Sequence, residues 1–141
     1  MGVVLTMTNF DEQTMERLRK SGLRPTRQRR ELARLLFSDC TEAMTAESLH
    51  AFAAKNGIKV SLATVYGTLH CFCEAGLVRE VSIDSRRYFD TNPDNRQYFY
   101  FEDERRLVGV TETETGFKDM PPPPEGRKVS RVDVVVRLRR D

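Results

Sequence analysis

A chain of 141 residues, 39% hydrophobic and 31% charged, has the composition of a soluble folded protein and excludes an intrinsically disordered one. Its length allows one compact domain or two small ones sharing a partner's surface. The net charge of +2 sets 23 basic against 21 acidic residues, so the average leaves open whether nucleic acid is a partner.

The distribution of charge is more informative. Between positions 17 and 34 stand Arg17, Arg19, Lys20, Arg24, Arg27, Arg29, Arg30 and Arg34 against the single acid Glu31. Such a run suits contact with phosphates, because neutralising them releases condensed counterions. Taken alone it reads more readily as a solvated helix face. Cys40, Cys71 and Cys73 have no disulfide-framework spacing, which points to a reducing cytoplasm. Positions 1–10 lack the charged start, long apolar run and small-residue cleavage site of a secretory leader. No apolar run reaches the ~18 residues of a membrane span.

In chain order, residues 11–20 read as a helix with Met15 and Leu18 apolar, stopped at Ser21-Gly22. Pro25 biases Arg24 away from helix, and the Thr26 hydroxyl can cap the next one, where Leu32, Leu35 and Leu36 form a buried face. Thr45 opens a third helix to about Lys55, with Leu49, Phe52 and Ala53 inward and Asn56-Gly57 as its stop. Ser61 opens a fourth, whose apolar positions Leu62, Val65, Leu69 and Phe72 share one side, while Ser61, Ala63, Thr64, Gly67 and Thr68 lie elsewhere. It ends near Glu74 before Gly76.

A hairpin follows, over 77–83 and 87–90, turning at Asp84-Ser85-Arg86. Residues 91–95 form the domain boundary. Strands are expected over 97–101 and 107–111, an extended connector over Pro121–Pro124, and a strand over 129–138, where Val132, Val134, Val136 and Leu138 alternate with other residues. The expected fold is α+β. Residues 1–92 form a winged helix-turn-helix DNA-binding domain, and residues 93–141 a small α/β dimerisation domain with a three-stranded sheet. So few strands bury little core alone, and pairing with an identical copy completes it, which also suits twofold DNA half-sites.

In a helix-turn-helix the start of the second helix meets base edges in the major groove. Thr64 can offer hydroxyl or methyl to bases, and Tyr66 a ring to thymine methyls and a hydroxyl to phosphate. Tyr66 reads equally as the rim of the core. Thr26, Arg27 and Arg30 at the second helix and Arg86 and Arg87 at the wing are candidate backbone contacts, and Ser61 doubles as a cap.

The segments Gly22-Leu23-Arg24-Pro25-Thr26-Arg27-Gln28-Arg29, Val60-Ser61-Leu62-Ala63-Thr64-Val65-Tyr66-Gly67-Thr68-Leu69, Glu74-Ala75-Gly76-Leu77-Val78 and Tyr88-Phe89-Asp90-Thr91-Asn92 resemble the ferric uptake regulator (Fur) family. The tail, with Met120-Pro121, Pro124-Glu125-Gly126 and Val132-Asp133-Val134-Val135-Val136-Arg137-Leu138-Arg139, is similar to its Irr (iron response regulator) branch. The resemblance implies a dimeric winged-helix repressor on double-stranded promoter DNA of iron or metal homeostasis genes, with Thr64 and Tyr66 among its contacts. Arg or Asn usually follows the tyrosine in that family; Gly67 stands here and offers no side-chain hydrogen bond to a base.

Family members use Fe, Mn, Zn or haem, but most of the corresponding ligands are missing. Arg96-Gln97-Tyr98 replaces the branch's histidine-rich run, no Cys-x-x-Cys occurs, and no cysteine precedes a proline. Asp90 resembles a family carboxylate ligand, and a lone carboxylate holds no transition metal tightly. A haem or metal site from His50 with Cys71, or His70 with Cys73, is the alternative. No cofactor is expected, and no membrane partner. Nothing resembles a nucleophile with its base or a phosphate-cradling glycine loop, so no enzyme is expected either. Two functions remain: a metal-independent operator-binding regulator, or a heterodimer partner that antagonises a related regulator without reading DNA.

Overall fold

The computed structural model describes residues 12–13, 15–38, 42–110 and 120–141. They fall into two units, Met1–Pro93 and Asp94–Asp141. The fold is α+β.

The first unit holds α1 (residues 15–20), α2 (Arg27–Ser38), β1 (Glu42–Ala43), α3 (Ala46–Lys55), α4 (Leu62–Glu74), β2 (Arg79–Ile83) and β3 (Arg86–Asp90). Each of α2, α3 and α4 buries one stripe. Leu32, Leu36 and Phe37 of α2, Leu49 of α3, and Val65, Leu69 and Phe72 of α4 are essentially inaccessible, and Leu18 of α1 joins them. Helix starts follow local hydroxyl chemistry. Thr45 stands in extended backbone and accepts from the Ser48 amide at 3.1 Å, and Ser61 does the same for Thr64 at 3.0 Å. Gly57 and Gly76, at φ of 75°, take the left-handed turn that closes α3 and α4.

Phe52 is only half-buried. Thr68 departs from expectation more sharply: it is buried, 6% exposed, on the same side as Val65 and Leu69. Position 68 follows Val65 by three, so the inward stripe is wider than its apolar members alone suggest.

The β2–β3 hairpin pairs Ile83 with Arg86, leaving a two-residue turn of Asp84 (φ 52°) and Ser85 (φ 67°). Positive φ at both centres is the turn whose twist matches the flanking strands. Arg86 therefore opens β3 and is not a turn residue. Met44 and Phe89 exchange backbone hydrogen bonds of 3.0 and 2.7 Å, tying the entry to α3 to this hairpin.

In the second unit β4 (Gln97–Phe101) pairs antiparallel with β5 (Arg106–Val110) and parallel with β6 (Val134–Leu138). Its described residues carry these three strands and no helix. Tyr98, Tyr100 and Leu107 are buried on one side, while Phe99 and Val136 are exposed. The strand expected over 129–138 begins only at Val134. Its partner β4 begins at Gln97, and the last backbone bond runs from the Val134 amide to the Arg96 carbonyl at 2.8 Å. One residue upstream, the Asn95 carbonyl is taken by the Arg131 guanidinium and by the Tyr98 hydroxyl at 3.4 Å, and the strand pairing does not continue into residues 129–133.

Candidate nucleic-acid interface

With Val65, Thr68, Leu69 and Phe72 turned inward, the opposite side of α4 presents Ser61, Ala63 and Gly67 to solvent, with Thr64 and Tyr66 half-buried at its edges. Small outward residues let a helix backbone approach a groove closely. The Ser61 hydroxyl accepts the Thr64 amide proton and donates its own to Thr64 Oγ1 at 2.9 Å. Thr64 thereby keeps its hydroxyl proton for another acceptor.

Gly67 is exposed in mid-helix, and a Cβ built there meets nothing within 4 Å. Its φ is not positive, so neither space nor backbone requires glycine. Gly67→Ala is expected to raise folding stability by about 1 kcal/mol, the helix-propensity difference, read as a higher urea midpoint at unchanged slope.

Two clefts flank the start of α4. One, about 660 Å³, is lined by Thr45, Glu47 and Ser48 from α3, Tyr66 from α4, and Ser85, Arg86 and Arg87 from the wing. The Tyr66 hydroxyl donates to Glu47 Oε1 at 2.6 Å. That bond, with Glu47's own backbone and the Arg86 charge, holds the Glu47 carboxyl below the usual range and outweighs its slight desolvation; the same bond raises the Tyr66 phenol. Arg87 pairs with Glu80 across the hairpin at 3.3 Å. The second cleft, about 760 Å³, contains Ser61 and Thr64 together with Gln28, His50 and Lys59. His50 Nε2 lies 3.0 Å from the Val60 carbonyl, bracing the turn into α4.

The eight residues singled out from sequence are thus dispersed. Tyr66, Arg86 and Arg87 share one cleft, and Ser61 and Thr64 share the other. Thr26 caps α2 by accepting from the Arg29 amide at 3.3 Å, and Arg27 is exposed beside Glu31 at 3.4 Å. Arg30 lies apart, in a groove with Glu12, Glu16 and Arg19. Part of the basic run serves the fold: Arg29 donates to the Arg24 carbonyl and reaches Cys71 Sγ at 3.8 Å, and Arg17 stacks over the Phe37 ring at 5.4 Å. Glu47, Gln28 and Lys59 were missed. Lys59 had a signal, a cation two residues before a helix cap; Glu47 had none, since its partner is 19 positions away.

The described residues do not fit the metal that the family resemblance implies. They contain no cluster of three His, Cys, Asp or Glu side chains able to hold an ion. Asp90 is buried and accepts the Asn92 amide at 3.0 Å. His70 pairs with Glu74 at 3.1 Å, and burial pushes the Cys73 thiol up to about 11, away from the thiolate that binds metals. Cys40 and residues 1–11 lie outside the described residues. No helix among the described residues is long and apolar enough to cross a membrane.

Comparison with known proteins places this geometry. The profile of the ferric uptake regulator family matches residues 20–105. The peroxide-responsive repressor PerR of Staphylococcus aureus (strain Mu50 / ATCC 700699) is 32% identical over 98 residues, 69% of this chain. The match spans 66% of that relative's length. Among solved structures, the ferric uptake regulator from Pseudomonas aeruginosa with manganese has a TM-score of 0.65 at 24% identity, over 87% of this chain and 94% of its own. A zinc-bound manganese uptake regulator has a TM-score of 0.67 at 20% identity, over 90% and 98%. At these identities the structural likenesses establish the fold. With its profile covering more than half of the sequence, the chain belongs to the ferric uptake regulator family.

Proposed function

We propose that this chain is a sequence-specific DNA-binding transcription regulator, a cytoplasmic repressor of iron or metal homeostasis genes acting on double-stranded promoter DNA. It works as a homodimer, independently of metal, and belongs with the Irr branch. The observation that carries the DNA reading is the first half of α4. Its outward side holds only small residues, and its one large side chain, Tyr66, opens onto a cleft shared with the wing cations Arg86 and Arg87. Thr26, Arg27 and Arg30 supply backbone contacts, Ser61 and Thr64 the groove side. The exposed Phe99 and Val136, paired in register on adjacent strands, support completion of the sheet by a second copy in a dimerisation domain over 93–141. The dispersed donor set supports metal independence, and the tail motifs ending in Val132–Arg139 support the Irr assignment.

The test is fluorescence anisotropy of the full chain on promoter fragments, titrated from about 50 to 200 mM salt with and without a chelator. A regulator keeps its preference for one fragment over a scrambled duplex at physiological salt, and chelation changes nothing. Equal, steeply salt-dependent binding to both duplexes overturns the operator reading. A stoichiometric metal or haem in the purified protein overturns metal independence. Gly67 favours one second reading, a heterodimer antagonist of a related regulator, because the reading helix lacks a side chain where space for one is open. That protein gives the salt-sensitive, unselective outcome.

A further inference from the structure

We propose that Glu47 is a specificity-determining residue that acts through Tyr66, fixing the ring for base contact by holding its hydroxyl away from phosphate. This rests on the reading of Tyr66 as a DNA contact.

A carboxylate on a surface meant for DNA is unfavourable unless it does something there. Glu47 sits in the cleft that brings Tyr66 together with Arg86 and Arg87, and its Oε1 accepts the Tyr66 hydroxyl proton at 2.6 Å. The Tyr66 hydroxyl has one proton to donate. Giving it to a DNA phosphate means leaving Glu47, so that a bare carboxylate then faces the phosphate that replaced it. Both changes oppose the exchange, since hydrogen bonds to an ionised acceptor are the stronger kind and like charges at close range repel. The phenol is therefore tethered at its tip. What remains for DNA is the ring edge, which can meet a thymine methyl but not a backbone oxygen.

The tether also restricts motion. An unheld tyrosine at the rim of a helix samples several rotamers, whereas one bound at its far end to a neighbouring helix presents a single edge. The holder is itself held, because Met44 and Phe89 exchange backbone bonds just before Thr45 caps α3. Two carboxylates moderate the wing as well: Glu80 pairs with Arg87, and Glu47 lies in the field of Arg86. Sequence-independent attraction to phosphate is damped in the same cleft where base contact is made, which favours the right sequence over any sequence.

The experiment uses full-length chains. The wild type first selects a duplex from a random-sequence pool, and affinities for that duplex and a scrambled one are then measured for Glu47→Ala, Glu47→Gln, Tyr66→Phe and the Glu47→Ala/Tyr66→Phe double variant. Glu47→Ala and Tyr66→Phe are each expected to lower the selected-to-scrambled ratio about three- to tenfold. The double variant loses no more than either alone, because both remove one bond. Glu47→Gln keeps the ratio, since an amide oxygen also accepts the phenol proton, and it raises affinity for both duplexes by removing a negative charge. An unchanged ratio in Glu47→Ala overturns the proposal. So do additive losses, or a Tyr66→Phe variant that weakens both duplexes equally, which puts the hydroxyl on phosphate. Matching thermal melts among the variants separate positioning from unfolding. Failure of the underlying reading looks different: Tyr66→Ala then binds as the wild type does.

Discussion

Phe72→Ala is expected to remove about 3–5 kcal/mol of folding stability from the first unit, the range for a large aromatic truncated in a closed core. Phe72 is completely inaccessible, and its ring lies 6.5 Å from that of Phe37 at 38°, joining α4 to α2. The void has no ready filler, because Leu36, Leu69 and Val65 are held by their own helices in the same cluster. Against a typical total of about 5–15 kcal/mol, such a loss removes a large share of the stability. Urea unfolding followed by circular dichroism should show the midpoint falling sharply with little change in slope. A shift below about 1 kcal/mol would mean that α4 is not anchored as described. The Phe72 carbonyl also accepts the Leu77 and Val78 amides at 2.9 and 3.4 Å. These backbone bonds survive the substitution, so the link from α4 to the wing persists in whatever fraction remains folded.

In the proposed reading, stability and recognition lie on opposite sides of one thirteen-residue helix. Its inner side is shared with α2 and α3, and its start is fixed by Ser61 and braced by His50. The outer side contributes little to folding, which leaves its residues free to be chosen for a ligand. Gly67 is the extreme case, a residue the fold does not require.

What could be read from sequence, and what could not, follows from how far each interaction reaches. The caps at Thr26, Thr45 and Ser61 were legible because a hydroxyl and the amide three positions on lie in one local motif. The stripes of α2 and α4 were legible from spacing, yet Thr68 was placed outside because a hydroxyl gives no apolar signal, although its position puts it inside. The alternation over 129–138 is a true strand pattern, but a strand also needs a partner edge. The pairing with β4 stops where Arg131 and Tyr98 take the Asn95 carbonyl, 36 and 3 positions away. Within the candidate site the same limit holds. Tyr66 was found from its place on α4, whereas Glu47, one of 21 acidic residues and no different from the others in sequence, is joined to it only by the packing of α3 on α4.

Tyr66→Ala is expected to weaken binding to the selected duplex by about ten- to a hundredfold, with a much smaller loss on scrambled DNA. The estimate corresponds to about 1–3 kcal/mol, the usual worth of a base contact that discriminates sequence. Tyr66 is half-buried at the edge of the core, so folding stability should fall far less than for Phe72→Ala. The salt dependence carries the mechanism. If the ring meets bases while Arg86 and Arg87 meet phosphate, removing the ring leaves the slope of log affinity against log salt unchanged, because no counterion is released or retained by a phenol. Removing Arg86 lowers the slope by about one. Arg87→Ala should lower it less, since Arg87 is already engaged by Glu80 at 3.3 Å. Anisotropy titrations at several salt concentrations read all three variants. A Tyr66→Ala protein that folds, keeps its slope and loses selectivity places the ring on base edges; one that keeps its selectivity shows that sequence is read elsewhere on the chain.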